Sequence, residues 1–229
     1  DQLTVSGGSA YKVNWSNGEG AKAKPDLSLM YGKVRAMVAK GGPRSNLTVR
    51  TRSATMGVRG TDFFVADGGR GPNAGTEISV IRGEVAVKDH AAKESAKSVP
   101  VKAGYSAEIA APVVPAATEQ KTATEEKKSR DVKAPAEIAE PVIAVRSTTQ
   151  QDLAGIQKAS EVKAAISEEV KKDTVLAKKI EELEQKAVAA TMTDIKKEDP
   201  KLFAQLQDKK VTSAVEIQAQ AVETLKSTA

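Results

Sequence analysis

The 229-residue chain has no cysteine and a single histidine, His90. The first absence excludes disulfide scaffolds, thiol nucleophiles and thiolate metal sites. The second excludes a histidine metal cluster, and a Ser-His-Asp site would have to rest on His90 within "KDHAAKES", where a solvated loop histidine is the simpler reading. Long apolar runs are also missing. No stretch approaches the roughly 20 apolar residues that span a bilayer, and no charged-then-apolar leader is present. Because the first residue is Asp1, the chain is expected to be either a mature form after leader removal or a fragment. Aromatics are scarce too, with one Trp, three Tyr and three Phe. Only Phe203 lies beyond residue 110, so a packed core is expected at the front.

Charge divides the same way. Residues 1–110 hold 16 Lys and Arg against 10 Asp and Glu, whereas residues 151–229 hold 13 against 14. A basic front suits an acidic protein, an anionic lipid headgroup or an anionic polymer such as peptidoglycan. Arg35, Arg50, Arg52 and Arg82 are interleaved with apolar residues and form no run, so they are expected on strand faces as a candidate interaction face. No aromatic-rich basic platform for stacking bases is visible, which argues against nucleic acid.

From Val34 to Ile109 the apolar period is close to two, as in Val34, Ala36 and Val38 or Leu47, Val49 and Thr51. That is the pattern of strands with one wet face. "KGGPRSN", "DGGRGPNAG" and "IRGEV" supply turn residues between them, and "LTV", "AYKVNW" and "LSLMYG" add earlier strands. Residues 111–147 change character: Pro112, Pro115, Pro135 and Pro141 among Ala, Glu and Lys predict a linker, with a short strand or docking element possible at "PVIAVR". After Gln151, Leu153, Ile156, Val162, Ile166 and Val170, then Leu176, Ile180, Leu183 and Val188, recur at helical spacings. Asp199 and Pro200 mark a helix start before Leu202, Phe203 and Leu206, and a last helix is expected over Val211 to Leu225. Their stripes are narrow, so these helices should pair with one another, with the β module or with another chain.

One stretch breaks the strand rhythm. In "ATMGVRGTDFFV", Gly57 and Gly60 flank Val58 and Arg59 ahead of Thr61, Asp62 and Phe63. Glycine inside a strand permits a bulge, a bend or close approach of another backbone. Arg59 and Asp62 are expected to pair across that bend, and Arg59→Ala to loosen the module.

These residues resemble a known family. "YGKVRAMV", "LTVRTRSATMGVRGTDFFV", "TEISVIRGEVAVKD" and "VPVKAGYSAEI" are similar, in order and spacing, to the successive signatures of the FecR domain over about residues 27–110. Gly32, Val34, Arg35, Val58 to Thr61, Phe63 and Gly83 match directly, while Arg52 stands where the pattern has proline. The resemblance implies an all-β, envelope-side module of Gram-negative bacteria. Some members of the family couple an outer-membrane transducer to a cytoplasmic sigma factor. Neither a cytoplasmic helical domain nor a span precedes the module here, so a stand-alone exported protein is the first expectation.

Other signals are weaker. Gly69 to Gly75 reads as a hairpin loop, since a dinucleotide fingerprint must open a helix after a parallel strand. Asp67, Asn73 and Glu77 fit no Ca²⁺ loop spacing. The expectation is therefore a multi-domain chain with a mainly β module over residues 1–110, antiparallel and built as a sandwich or stacked β architecture. A linker over 111–147 and an all-α region over 148–229 follow. No catalytic, cofactor or metal site is assigned. The expected role is an exported, non-enzymatic interaction or scaffolding protein of the periplasm or cell envelope, with an envelope protein as partner and homo-oligomers possible through the helices. The alternatives are the periplasmic part of a FecR-type signal-transducing sigma-factor regulator, and binding to peptidoglycan or another anionic polymer.

Overall fold

The computed structural model describes residues 2–14, 25–40, 46–69, 74–90, 92, 97–110, 143–160 and 174–228. Eleven strands and four helices are assigned among them. The strands are β1 (Gln2–Val5), β2 (Ala10–Asn14), β3 (Asp26–Met37), β4 (Leu47–Arg50), β5 (Ala54–Val58), β6 (Asp62–Asp67), β7 (Gly75–Arg82), β8 (Glu84–Asp89), β9 (Val99–Lys102), β10 (Tyr105–Ala110) and β11 (Ile143–Ser147). The helices are α1 (Gln150–Ser160), α2 (Thr174–Glu198), α3 (Pro200–Asp208) and α4 (Ala214–Thr228).

β3 belongs to two layers. Its first half pairs with β2 and β4, and its second half with β1 and β6. The outer sheet consists of β2, the start of β3, β4, β5, β8 and β9; the inner sheet consists of β1, the end of β3, β6, β7, β10 and β11. Alternation sends Leu27, Leu29, Val34, Ala36, Phe63, Val65, Ile78, Val80, Val85 and Val87 into one core between the sheets. The sandwich expected from the period-two pattern is present. Its pairing is antiparallel except at β3 and β4, which run parallel from Asp26 opposite Thr48 to Ser28 opposite Arg50. The chain leaves β3 in the inner sheet and returns beside the start of the same strand, and a crossover of that kind gives parallel neighbours.

Passage between the sheets depends on left-handed glycines. From β5 to β6 the chain crosses at Gly60, with φ of +66°, and from β7 to β8 it crosses back at Gly83, with φ of +82°. The two turns are in contact: a Cβ on Gly83 would lie 2.8 Å from the carbonyl oxygen of Gly60, and a Cβ on Gly60 would lie 2.6 Å from Cβ of Lys40. Gly57 is different. It lies within β5, paired with Thr48 and Ala86, and a Cβ there meets nothing closer than 3.9 Å. The bend expected at both glycines is therefore made at Gly60 alone.

The helices lie on the other face of the inner sheet. Met37, Phe64 and Ile81 point away from the sandwich core into a second core with Leu153, Ile156, Ile195, Leu202, Leu206, Ile217 and Val222. Each large side chain so buried contributes about 1.5–3 kcal/mol, which is what holds helices as short as α3, since a nine-residue helix is marginal alone. Asp199 caps α3 by accepting from the Leu202 amide at 3.0 Å, as expected from "KEDPK". Of the helical stripe read from the sequence, Val162, Ile166 and Val170 lie outside the described residues, as do the side chains of Leu176 and Ile180. Val188 packs partly against the second core, but Leu183 is 59% exposed. β11 forms at the end of the stretch read as linker, where "PVIAVR" allows a strand, and residues 111–142 lie outside the described residues.

Substitution separates the two glycines of the motif. Gly60→Ala is expected to cost about 1–3 kcal/mol through left-handed strain and collision with Lys40. Gly57→Ala is expected to be neutral or to stabilise by up to about 1 kcal/mol. Urea midpoints of the two variants measure the difference.

Candidate functional site

The four arginines read as one face have different surroundings. On β3, Arg35 alternates with core residues and therefore faces the helices, and Asp62 at the start of β6 is its diagonal neighbour across the strand pair. The guanidinium donates from Nε and Nη2 to the two carboxylate oxygens at 2.9 and 2.8 Å, and Nη2 also donates to the Gln218 carbonyl of α4 at 2.9 Å. Both side chains of this pair are 1% exposed. Arg82 is also buried and donates from Nη1 to Glu198 at the end of α2, a carboxylate shared with Lys40. These two arginines fasten the helices to the sheet. Both lie on the covered side of the inner sheet: alternation puts Arg35 there, and the register shift between Asp62 and Phe63 turns Arg82 to the same side.

Asp62 is thus held by Arg35, in place of the expected pair with Arg59. Arg59 is exposed at the turn between the sheets, while Val58, Gly60, Thr61 and Phe63 around it are buried. The geometry corrects the expectation that Arg59 supports the module. It stands at the rim of a cleft of about 530 Å³ that Lys40, Arg82, Lys201, Leu202 and Leu225 also line.

Arg50 and Arg52 lie on the other layer. Together with Ser28, Met30, Tyr31, Gly69 and His90 they line a groove of about 840 Å³ beside the outer sheet. Arg50 is paired with Asp26 at 3.2 Å, but Arg52 has two buried nitrogens, Nε and Nη2, with no hydrogen-bond partner. Its nearest carboxylate, Asp67, is 3.8 Å away and already accepts from the Gly69 amide and the Thr76 hydroxyl. His90 is exposed, as expected, with Nε2 2.7 Å from the Thr55 hydroxyl and Nδ1 3.1 Å from the Arg52 carbonyl. β6 and β7 pair antiparallel on either side of residues 70–73, which are outside the described residues together with Asn73, so the glycine-rich stretch does connect a hairpin. No group of acidic or histidine residues that could hold a metal occurs among the described residues.

One cluster had no signal in strand periodicity. Arg146 of β11 pairs with Glu77, Glu108 and Asp152, and so joins β7, β10 and α1. Its only trace in the sequence is the spacing Thr149-x-x-Asp152: Asp152 accepts from the Thr149 amide at 2.8 Å while its own amide donates to the Thr149 hydroxyl at 3.2 Å, a capping box. The Arg146 hydrogen bond holds Asp152 down at about 2, and burial together with the charge of Asp152 raises Glu77 above its ordinary 4.5.

Two predictions follow from these contacts. Arg35→Ala strands a buried carboxylate and is expected to cost about 3–5 kcal/mol, whereas Arg59→Ala should change stability by no more than about 0.5 kcal/mol; thermal melts compare them. Acidification acts in two opposite steps at the Arg146 cluster. Protonating Glu77 relieves a penalty present above its raised value, so stability gains as pH falls to 4.5. The contribution of Asp152 is complete above its ordinary 3.8 and is lost as pH falls toward 2. Asp152→Asn should lower the melting temperature at neutral pH and remove the second step, as read by melting curves over that range.

None of the helices among the described residues is long and apolar enough to cross a membrane. No curated protein matches the chain. Two crystal structures of a candidate anti-sigma factor from Parabacteroides distasonis ATCC 8503 are similar over 47% of this chain at 17% identity, each with a TM-score of 0.36. The matched part spans 45% of the length of those chains. Residues 2–86 match the FecR protein family, the one that the motifs from Gly32 to Arg35 and from Val58 to Phe63 resemble.

Proposed function

We propose that the chain is a non-enzymatic, exported protein of the cell envelope that holds a protein partner on the outer sheet of its FecR-type module. The observation that carries this reading is the groove beside that sheet. Met30 and Tyr31 are each 50% exposed there, next to Arg50 and Arg52. Tyr, Met and Arg are the residue types enriched where proteins bind one another. Arg52 Nη2 has no hydrogen-bond partner and Nε has only the distant Asp67, which favours a partner that brings an acidic side chain, because an unsatisfied buried donor costs stability until it is paired. The inner sheet is already covered by helices, so it leaves the outer sheet as the recognition layer, and the helical region serves as a fixed buttress.

The family match also favours a second reading, in which the chain is the periplasmic part of a FecR-type regulator of a sigma factor. Such a regulator could use the same groove, and the complete reading frame distinguishes the two by the presence of a span and a cytoplasmic domain. Assembly into homo-oligomers through the first half of α2 would use Val175 and Leu183, which are 76% and 59% exposed.

Photo-crosslinking in the full chain tests the location. With the crosslinker at Met30, an adduct with an envelope protein is expected, and Arg52→Lys, which keeps a positive charge beside the buried Asp67, should weaken that complex roughly tenfold while the chain still melts cooperatively. Adducts formed only from a crosslinker at Leu183 would transfer recognition to the helices and refute the groove.

A further inference from the structure

The cleft at Arg59 is a second site, separate in position and chemistry from the outer-sheet groove. The turn after β5, the turn after β7, the end of α2, the start of α3 and the second half of α4 meet there. Arg82 lies within it with its side chain 7% exposed. One of its terminal nitrogens, Nη1, is paired with Glu198, while Nη2 is buried without a partner. A guanidinium kept inside a protein with Nη1 bonded and Nη2 bare still has one unpaired nitrogen to offer an oxyanion.

The charge around it sets the class of anion. Lys40, Arg59, Arg82 and Lys201 face Glu84, Glu198 and Asp199 in the cleft, an excess of one positive charge. Asp199 is committed to capping α3, and Glu198 to Lys40 and Arg82. One surplus charge balances a carboxylate, whereas a phosphate dianion would leave the carboxylates of the cleft unbalanced. Ile81, Ala103, Leu202 and Leu225 form an apolar part of the lining, which an aliphatic group attached to the carboxylate would cover.

We propose that this cleft binds a monocarboxylate carrying a short aliphatic group, with Arg82 Nη2 and the Arg59 guanidinium as its ligands. Two sources share that chemistry: a free aliphatic acid, and the C-terminal carboxylate of a peptide ending in an apolar residue. Arg59 thereby acquires a role that its exposure denies it in the fold. The glycine on one side of it turns the chain between sheets and sets the side chain at the rim.

Calorimetric titration of the full chain tests the proposal. The probes are hexanoate, acetyl-Ala-Leu with a free carboxylate, the same peptide as its carboxamide, and inorganic phosphate. Saturable binding of hexanoate or of the peptide acid is expected, with a dissociation constant on the order of millimolar. Arg59→Ala should weaken it roughly tenfold while melting as the parent does, and Arg82→Lys should weaken it similarly through loss of the Nη2 donor. Binding of the peptide acid alone supports a partner's C-terminus as the source, and binding of hexanoate alone supports a free acid. Three results overturn the site: no saturable binding of either carboxylate, phosphate or carboxamide binding as well as they do, or undiminished binding in Arg59→Ala. Because Arg59 is exposed, that variant remains informative even if Arg82→Lys does not fold.

Discussion

The joint between the two halves of the molecule rests on one buried ion pair. Arg35 and Asp62 are both supplied by the inner sheet and meet in bidentate geometry, so they would form without the helices. What the helices add is the removal of water from the pair and a third acceptor, the Gln218 carbonyl. Taking charge out of water is costly, and the pair by itself is a weak source of stability. The apolar contacts of Met37, Phe64 and Ile81 with α3 and α4 offset that cost, and the carbonyl fixes where along its axis α4 settles. Apolar packing thus supplies the energy of docking, and the arginine supplies its position.

A strand hides from its sequence which of its faces will be covered. In the sequence Arg35, Arg50, Arg52 and Arg82 are interleaved with apolar residues alike, yet Arg52 lies in the turn after β4 and Arg82 at the register shift between β6 and β7. Their fates differ because the part of the inner sheet that holds Arg35 and Arg82 is covered by helices, whereas the groove beside the outer sheet is open. Part of the basic surplus of the front segment is neutralised by the helical region, since Arg82 and Lys40 pair with Glu198, while the Arg35–Asp62 pair cancels within the front itself. That weakens the case for an extended polyanion on this module and leaves Arg50 and Arg52 as the arginines of that set on the outer sheet's groove.

Much of the module was legible in the chain. Period-two runs and glycine turns predict the strands and the sandwich because both signals are local. Asp199 and Pro200 mark α3 for the same reason. The errors fall where a residue's partner is distant in sequence. Asp62 is three residues from Arg59 and 27 from Arg35, and only the pairing of β3 with β6 makes the farther one the neighbour. Gly57 and Gly60 look alike as letters, yet only the second is at a change of layer. Arg146 gave no hint of its three carboxylates, because β11 adds to the sheet after a long interval in the chain.

That late strand has a consequence for the segment between. β11 pairs beside β10 with Ile109 opposite Ile143, so the chain departs from and returns to one spot at the sheet edge. The described residues on either side of the 111–142 interval therefore lie at neighbouring points of the sheet edge. The length of such an excursion is nearly free thermodynamically, since each doubling adds only about 0.6 kcal/mol of closure entropy. A cleavage within it would cut the polymer without separating the particle: the two pieces would stay associated through the β10 ladder, the second apolar core and the Arg35 contact to α4.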